Sequence, residues 1–317
     1  MKPDARSGPP VLLDCDPGHD DVFAILVALH RAELVAVTAV SGNAPLTASV
    51  HNALLTIQLA GADVPVHSGA GRPLVREPRH AAYIHGESGL AGPELPPVSR
   101  QASTVPAVQA ILEASHAHDA LWLVATGPLT NVALALRADP GLAGRLAGIS
   151  VMGGNWGPGN VTAAAEFNIW ADPEAAAEVF ASGARLLMAG LDVTHQFMMT
   201  PQRIAAVRAL ATPLATFGAE LLTYFSEAYA RSFGGVQQGP LHDPCAVLAV
   251  TDPQLFASAD YHVAVETTGE LTRGATVVDR RTGSRSGVPN TTVLQTIDDE
   301  AAFEVLLDSL RSAGQAA

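Results

Sequence analysis

The sequence predicts an α/β fold, a single large domain in which a mostly parallel central sheet carries helices on both faces. Three observations point there. Up to Asp192, short runs that are apolar at nearly every position alternate with longer stretches of helical periodicity, and strands without a polar face belong to parallel sheets buried on both sides. Nearly every polar cluster that stands out falls at the end of one of those runs, which is where ligand-binding residues of an open α/β sheet collect. At 317 residues and 48% hydrophobic, the chain can bury a large core, and no Pro/Gly/Ser linker or internal repeat divides it.

The elements follow in order. Residues 11–15 form the first strand, an apolar run ending in acids, and residues 21–30 the first helix, with acids in its first turn where the helix dipole favours them. Residues 34–41 read as a strand, 47–60 as a helix and 64–67 as a short third strand. A helix over 104–116, a strand over 121–126 and a helix over 129–137 come next, then strands over 149–152 and 185–189 with a helix over 173–182 between them. Beyond Asp192 the alternation weakens: 201–210 and 213–230 read as consecutive helices, followed by a Gly-rich loop and a helix over 244–250. Residues 261–266, 275–279 and 292–294 are expected as edge strands and 299–312 as the closing helix. Residues 1–10 are expected to be a flexible N-terminus, and 11–317 one domain with an insertion-rich stretch at about 192–250.

Composition excludes several functions. Eighteen Lys and Arg against 31 Asp and Glu leave a net charge of −13, the wrong sign for a nucleic-acid or anionic-membrane partner. Lys2 is the only lysine, which removes P-loop, Schiff-base and buried catalytic lysine chemistry. Cys15 and Cys245 are too few for a Cys-rich zinc site or a disulfide framework, and free thiols in a reducing compartment are the default. No apolar run matches a signal peptide or a membrane span, so a cytoplasmic location is expected.

The chemistry gathers after the strands. The first is followed by Asp14-Cys15-Asp16-Pro17-Gly18-His19-Asp20-Asp21. Four aspartates bent round Pro17-Gly18 cannot all stay ionised without a counter-charge, and carboxylate oxygens without Cys or His pairs suit calcium or magnesium. An EF-hand register fails, since its bidentate position falls on Ile25. An ordinary acidic helix start explains any one of these aspartates as well. His242-Asp243-Pro244 opens a late helix, where Asp243 serves equally as an N-cap or as a site acid. Asn160, Glu166 and Asn168 around Phe167 offer what a polyhydroxylated ligand needs.

The first of these motifs resembles the D-x-D-P-G-x-D-D signature of the inosine–uridine-preferring nucleoside hydrolases. The likeness continues through Ser41-Gly42-Asn43, Ala125-Thr126-Gly127-Pro128, Met152-Gly153-Gly154, Glu166-Phe167-Asn168, Asp192-Val193-Thr194-His195 and His242-Asp243-Pro244, in collinear order over almost the whole chain. The resemblance implies a Rossmann-like nucleoside-hydrolase fold and calcium-dependent hydrolysis of the N-glycosidic bond of ribonucleosides. By the same resemblance, Asp16, Asp21, Asp243 and the Thr126 carbonyl would hold the calcium, and Asp16 would also be general base on the metal-bound water. Asp20, Asn43 and Asn168 would hold the 2′- and 3′-hydroxyls, Met152, Asn160 and Glu166 the 5′-hydroxyl, and His242 would contact and protonate the base. The loop from His85 to Gly92 is similar to the family's H-G-x-D-G-L-G loop, with Ser88 in place of the acid and Ala91 inserted, and His85 remains a candidate base contact. The segment 224–241, containing Tyr229, Phe233 and three glycines, reads as a hinged flap over the base, with Tyr229 a further substrate contact. Tyr224 and Phe225 are explained equally by core packing. The family also implies a homotetramer or homodimer.

Two rival functions remain. A haloacid-dehalogenase-type magnesium-dependent phosphatase shares a D-x-D after its first strand, but Pro17-Gly18 follow Asp16 where that motif wants Thr or Val, and no lysine is available for the phosphate. A non-catalytic calcium-dependent nucleoside or sugar binder would use the same ribose contacts, though it would have no need of both Asp16 and His242.

Overall fold

A computed structural model of the chain describes residues 8–235, 237–281 and 287–313. Of the segment expected to be flexible, residues 1–7 lie outside the described residues, while Pro10 already belongs to the first strand and pairs with Glu33. The strands are β1 (Pro10–Cys15), β2 (Glu33–Ala39), β3 (Val66–Ser68), β4 (Trp122–Ala125), β5 (Gly148–Met152), β6 (Leu186–Ala189), β7 (Met198–Met199), β8 (Gly239–Pro240), β9 (Phe256–Val265), β10 (Thr276–Asp279) and β11 (Thr291–Ile297). Nine of them make one sheet in the order β10-β9-β11-β6-β5-β4-β1-β2-β3, and β7 pairs with β8 apart from it. From β3 across to β11 every pairing is parallel, and the β9–β10 edge is antiparallel.

The apolar character of β1 follows from its central place. Val11 and Leu13 enter a core formed with the helices His19–Arg31, Pro213–Phe233, Pro244–Thr251 and Asp299–Ala313. Leu12, between them, enters a second core on the opposite face with the helices Ala107–Ala117, Thr130–Ala138 and Pro173–Phe180. A strand covered on both faces gains nothing from alternation, so every position is apolar until the chain reaches the sheet edge.

The connections fix where a ligand can bind. The chain leaves β1 for β2 and β3 on one side, then returns to place β4, β5 and β6 on the other. The strand order therefore reverses between β1 and β4, and the loops leaving those two strands diverge to open a crevice.

Several elements differ from expectation for physical reasons. The third strand is shifted to Val66–Ser68. Short helices at Ala82–His85, Leu142–Arg145, Phe167–Ala171 and Leu191–Thr194 are too brief to show a 3.6-residue period. The helix beginning at Pro213 continues to Phe233, through most of the segment read as a hinged flap. Tyr229 and Phe233 thus stand on a helix, and the turn proper starts at Gly234 and Gly235, both with positive φ.

Candidate active site

The loops after β1, β2, β4 and β5 meet over the crevice. Asp16, at the end of β1, has no solvent exposure. Its Oδ2 accepts the Asn43 N–H at 2.6 Å, and its Oδ1 has no hydrogen-bond partner. Two glycines make room for this carboxylate: a Cβ on Gly42 would collide with Oδ2, and one on Gly127 would stand 2.7 Å from Oδ1. Asp21 accepts the Gly18 N–H at 2.8 Å and the Thr126 hydroxyl at 2.8 Å, tying the β1 loop to the β4 loop. Asp14 points elsewhere. It accepts from the Thr38 hydroxyl at 2.5 Å and from Asn131 Nδ2 at 2.7 Å, so it braces β2 and the helix Thr130–Ala138.

Asp20, Asp21 and Asp243 are buried with carboxylate oxygens within 4.8 Å of one another. Asp243 occupies the N-cap position of the helix Pro244–Thr251, yet its side chain makes no capping bond, so the simple structural explanation of this residue fails. Burial is the largest cause raising each member; repulsion from neighbouring acids adds to it for Asp20 and Asp243, while hydrogen bonds lower Asp21. Asp20 is pushed up to about 7 by burial and then by Asp21, and Asp243 and Asp16 are raised well above the usual carboxylate range. Four acids that oppose each other's ionisation, one with a buried unpartnered oxygen, fit a divalent cation, and an all-oxygen donor set suits a hard one. Asp16 falls outside the three-residue cluster, and Asp20, expected on the ribose, falls within it.

The opposite wall of this polar end is built on Glu166. Its side chain caps the helix Phe167–Ala171, accepting the Asn168 N–H at 2.8 Å and the Ile169 N–H at 3.1 Å, and it also takes the Gly154 N–H at 3.0 Å. Burial nevertheless raises Glu166 to about 7. Asn168 Nδ2 donates to the Thr126 carbonyl at 2.8 Å and the Met152 carbonyl at 3.2 Å. Asn160 accepts the Phe167 N–H at 3.0 Å.

The other end is lined by rings. His85 and Tyr83 come from the short helix, Phe225, Tyr229 and Phe233 from the long one, and His242 from the loop before Asp243. Together the two ends border about 520 Å³ of space, part of it open to solvent. His19 sits behind His85, with their Nδ1 atoms 3.0 Å apart, and stacks on Tyr224 at 5.4 Å. His242 Nδ1 lies 2.7 Å from the Thr194 hydroxyl, and the Tyr229 hydroxyl lies 3.1 Å from His195 Nε2. Burial pushes His85 and His242 well below the usual histidine range, so both rings are neutral near pH 7.

A polar, acid-rich end joined to a ring-lined end is also what comparison with known proteins gives. The profile of the family described as inosine-uridine preferring nucleoside hydrolase matches residues 11–304. The chain belongs to this family. Relatives of this nucleoside hydrolase include the pyrimidine-specific ribonucleoside hydrolases RihA of Enterobacter sp. (strain 638), 43% identical over 95% of this chain and 97% of that one, and of Shewanella sp. (strain ANA-3), 45% identical over 95% and 96%. Among solved structures, a purine-preferring ribonucleoside hydrolase from Gardnerella vaginalis superposes with a TM-score of 0.91 at 32% identity, over 97% of this chain and all of that one. A plant nucleoside hydrolase gives 0.88 at 31% identity, over 96% and 99%. The phosphatase alternative falls with this membership.

In this nucleoside hydrolase, Asp20, Asn43, His85, Thr126, Met152, Asn160, Glu166, Asn168, Tyr229, His242 and Asp243 all line the one pocket. Asp16 and Asp21 lie at its polar end, bonded to the lining residues Asn43 and Thr126. Sequence reasoning missed Tyr83 and the roles of His19 and Thr194. Phe225, explained equally by packing, does both: it lies against His19 and His85 and lines the pocket. An aromatic on a one-turn helix, or a histidine behind another, leaves no periodic signal; only the position of His19 inside the aspartate motif hinted at it.

Proposed function

We propose that this nucleoside hydrolase is calcium-dependent, cleaving ribonucleosides to free base and ribose, with pyrimidine ribonucleosides preferred. The observation that carries the reading is Asp16, a carboxylate without exposure whose Oδ1 has no partner, at the acid-rich end of the pocket. Breaking an N-glycosidic bond builds positive charge on the ribose ring. Carboxylates round the ring stabilise that charge more than they stabilise neutral substrate, which lowers the barrier.

Asp16, Asp21, Asp243 and the Thr126 carbonyl would hold the calcium, with Asp20 close by in the same cluster. When bound, calcium supplies the positive charge that lets these carboxylates ionise together and makes a nearby water more acidic. Asp16 takes the proton of the attacking water at Oδ1, the oxygen left free by the Asn43 bond. Asp20, Asn43 and Asn168 hold the 2′- and 3′-hydroxyls, and Met152, Asn160 and Glu166 address the 5′-hydroxyl. His85 and Tyr229 meet the base, and His242 donates to it as it leaves. Attack opposite the base inverts the anomeric centre. Pyrimidine preference is supported by relatives at 43–45% identity that are named pyrimidine-specific, against 32% for the purine-preferring neighbour.

The test is release of ribose from uridine, cytidine, inosine and adenosine, with EDTA and then with calcium restored. Uridine and cytidine are expected to lead, with EDTA abolishing and calcium rescuing release. No ribose from any of the four, with folded protein and calcium present, overturns the reading and favours a non-catalytic binder.

A further inference from the structure

Residues 191–197 stand outside the pocket lining, yet they hold two of the side chains that form it. The turn Leu191–Thr194 follows β6, and its neighbours fix its place. The Leu191 N–H donates to the Gly154 carbonyl at 2.9 Å, the Trp156 N–H donates to Asp192 Oδ2 at 2.7 Å, and Gln196 Nε2 donates to the Gln295 carbonyl of β11 at 2.8 Å. Leu191, Val193 and Phe197 are buried in the core. Gly190 permits the close seating, since a Cβ there would stand 2.8 Å from the Gly154 carbonyl oxygen. A turn bonded to the β5 loop and to β11, with its apolar side chains in the core, is a rigid mount for whatever it touches.

His242 is tied to this mount through both backbone and ring. Met198 and Met199 pair with Pro240 and Gly239, and the Leu241 N–H donates to the Phe197 carbonyl at 2.8 Å, which fixes the chain just before His242. Backbone pairing leaves a side chain free to turn. The ring is fixed by Thr194, whose hydroxyl is fully buried and lies 2.7 Å from His242 Nδ1. Whichever of the two atoms carries the hydrogen, the contact occupies Nδ1 and leaves Nε2, which has no hydrogen-bond partner among the described residues, to a ligand in the pocket.

Tyr229 comes from a different element, the helix Pro213–Phe233. Its ring lies 6.0 Å from that of Phe225 and 4.5 Å from that of Phe233, each one turn away on the same helix. Those contacts hold the ring against its own helix and not against the sheet. The tie across is His195 Nε2, 3.1 Å from the Tyr229 hydroxyl and its one hydrogen-bond partner among the described residues. The His195 ring also lies 5.5 Å from the His242 ring. We infer that Thr194 and His195 are positioning residues: adjacent on one anchored turn, they set His242 and Tyr229, which come from separate elements, at a fixed spacing around the base. That the ligand is a base rests on the hydrolase reading above; the two contacts do not. Groups that act on a leaving base need placement to within about 0.5 Å, and a histidine ring held only by its backbone would sample other rotamers.

Crystal structures of the full chain and its variants, with calcium present, test the geometry without any substrate. Thr194→Val keeps the shape of the side chain and should turn the His242 ring out of its orientation, whereas Thr194→Ser should keep it. His195→Phe should likewise displace the Tyr229 hydroxyl. A His242 ring unmoved in Thr194→Val, or a Tyr229 unmoved in His195→Phe, overturns the inference. Double-mutant cycles give the kinetic readout. Thr194→Val should lower kcat/KM on uridine and inosine by about 10–100-fold, the scale of one buried group left unpaired, and His195→Phe by less than about 10-fold. Thr194→Val should leave p-nitrophenyl riboside, whose leaving group departs without a proton, nearly unchanged, and Thr194→Ser should restore activity on the nucleosides. Thr194→Val should cost nothing further in a His242→Ala background, nor His195→Phe in a Tyr229→Phe background. Losses that multiply in either pair, or a Thr194→Val loss that falls equally on p-nitrophenyl riboside, would mean a structural role only, against the inference. If the wild-type chain cleaves none of these substrates, the hydrolase reading fails while the crystal structures still decide the positioning.

Discussion

The two ends of the pocket are built by different means. At the polar end, the acids leave the carboxyl edges of central strands, and backbone N–H groups or buried hydroxyls fix Asp16, Asp21 and Glu166. At the ring-lined end, side chains stand on a one-turn helix and on the last turns of a long one, and Tyr83 and Phe233 keep 55% and 43% of their surface exposed. Groups held by the sheet cannot move without disturbing the core, which suits steps that demand fixed geometry. Groups on helix ends can differ between relatives without touching that core, which suits the choice of base.

If that division is right, damage at the polar end should fall on every substrate alike. Asp16→Asn removes the proposed base and should lower kcat by about 10²–10⁴-fold with little change in KM, measured on uridine, inosine and p-nitrophenyl riboside. Gly42→Ala would drive a methyl group into the Asp16 carboxylate; misplacing a catalytic group by an ångström costs about 100-fold, again on all three. A substrate-selective loss from either variant would break the comparison. At the other end, Tyr229→Phe removes the bond to His195 and should change the uridine-to-inosine ratio by less than about 10-fold. Leaving that ratio untouched would take Tyr229 out of base selection.

The smallest effect expected is on stability. Asp14, Asp20 and Glu166 are each raised by burial to about 7, above the value near 4 of an unfolded chain. Below about pH 4 both states are protonated and the buried acids cost nothing in charge. As pH rises to about 7, the unfolded chain gives up its protons first and the folded state loses stability. The buried neutral histidines His19, His85 and His242 act in the opposite sense below about pH 6.5, so the acids are read above it: metal-free protein should melt at a lower temperature at about pH 8.5 than at about pH 7, and calcium should raise Tm more at the higher pH. Calorimetry at the two pH values checks both statements; a Tm that rises with pH without metal would contradict the burial of these groups as acids.

Much of the polar end was legible because its residues are local to strand ends. The segment from Asp14 to Asp21 lies in eight consecutive positions, and an apolar run followed by acids marks both the strand and its edge. The same residues hid their division of labour: Asp14 braces Thr38 and Asn131, while Asp243 abandons its cap to face Asp20 and Asp21. The ring-lined end was harder to read, since aromatics at helical spacing look alike whether they face a core or a pocket, and Phe225 faces both.

The sequence by itself determined the parallel sheet, the edge on which chemistry collects and the family, because apolar runs, helical periods and strand-end motifs are local patterns. Only the tertiary structure decided which groups meet: Thr126 with Asp21, 105 residues apart, His19 with His85, 66 apart, and Thr194 with His242, 48 apart. Those contacts depend on the strand order reversing between β1 and β4 and on where the long helix lies over the crevice, and no local pattern records the distance between two turns that share an edge of the sheet.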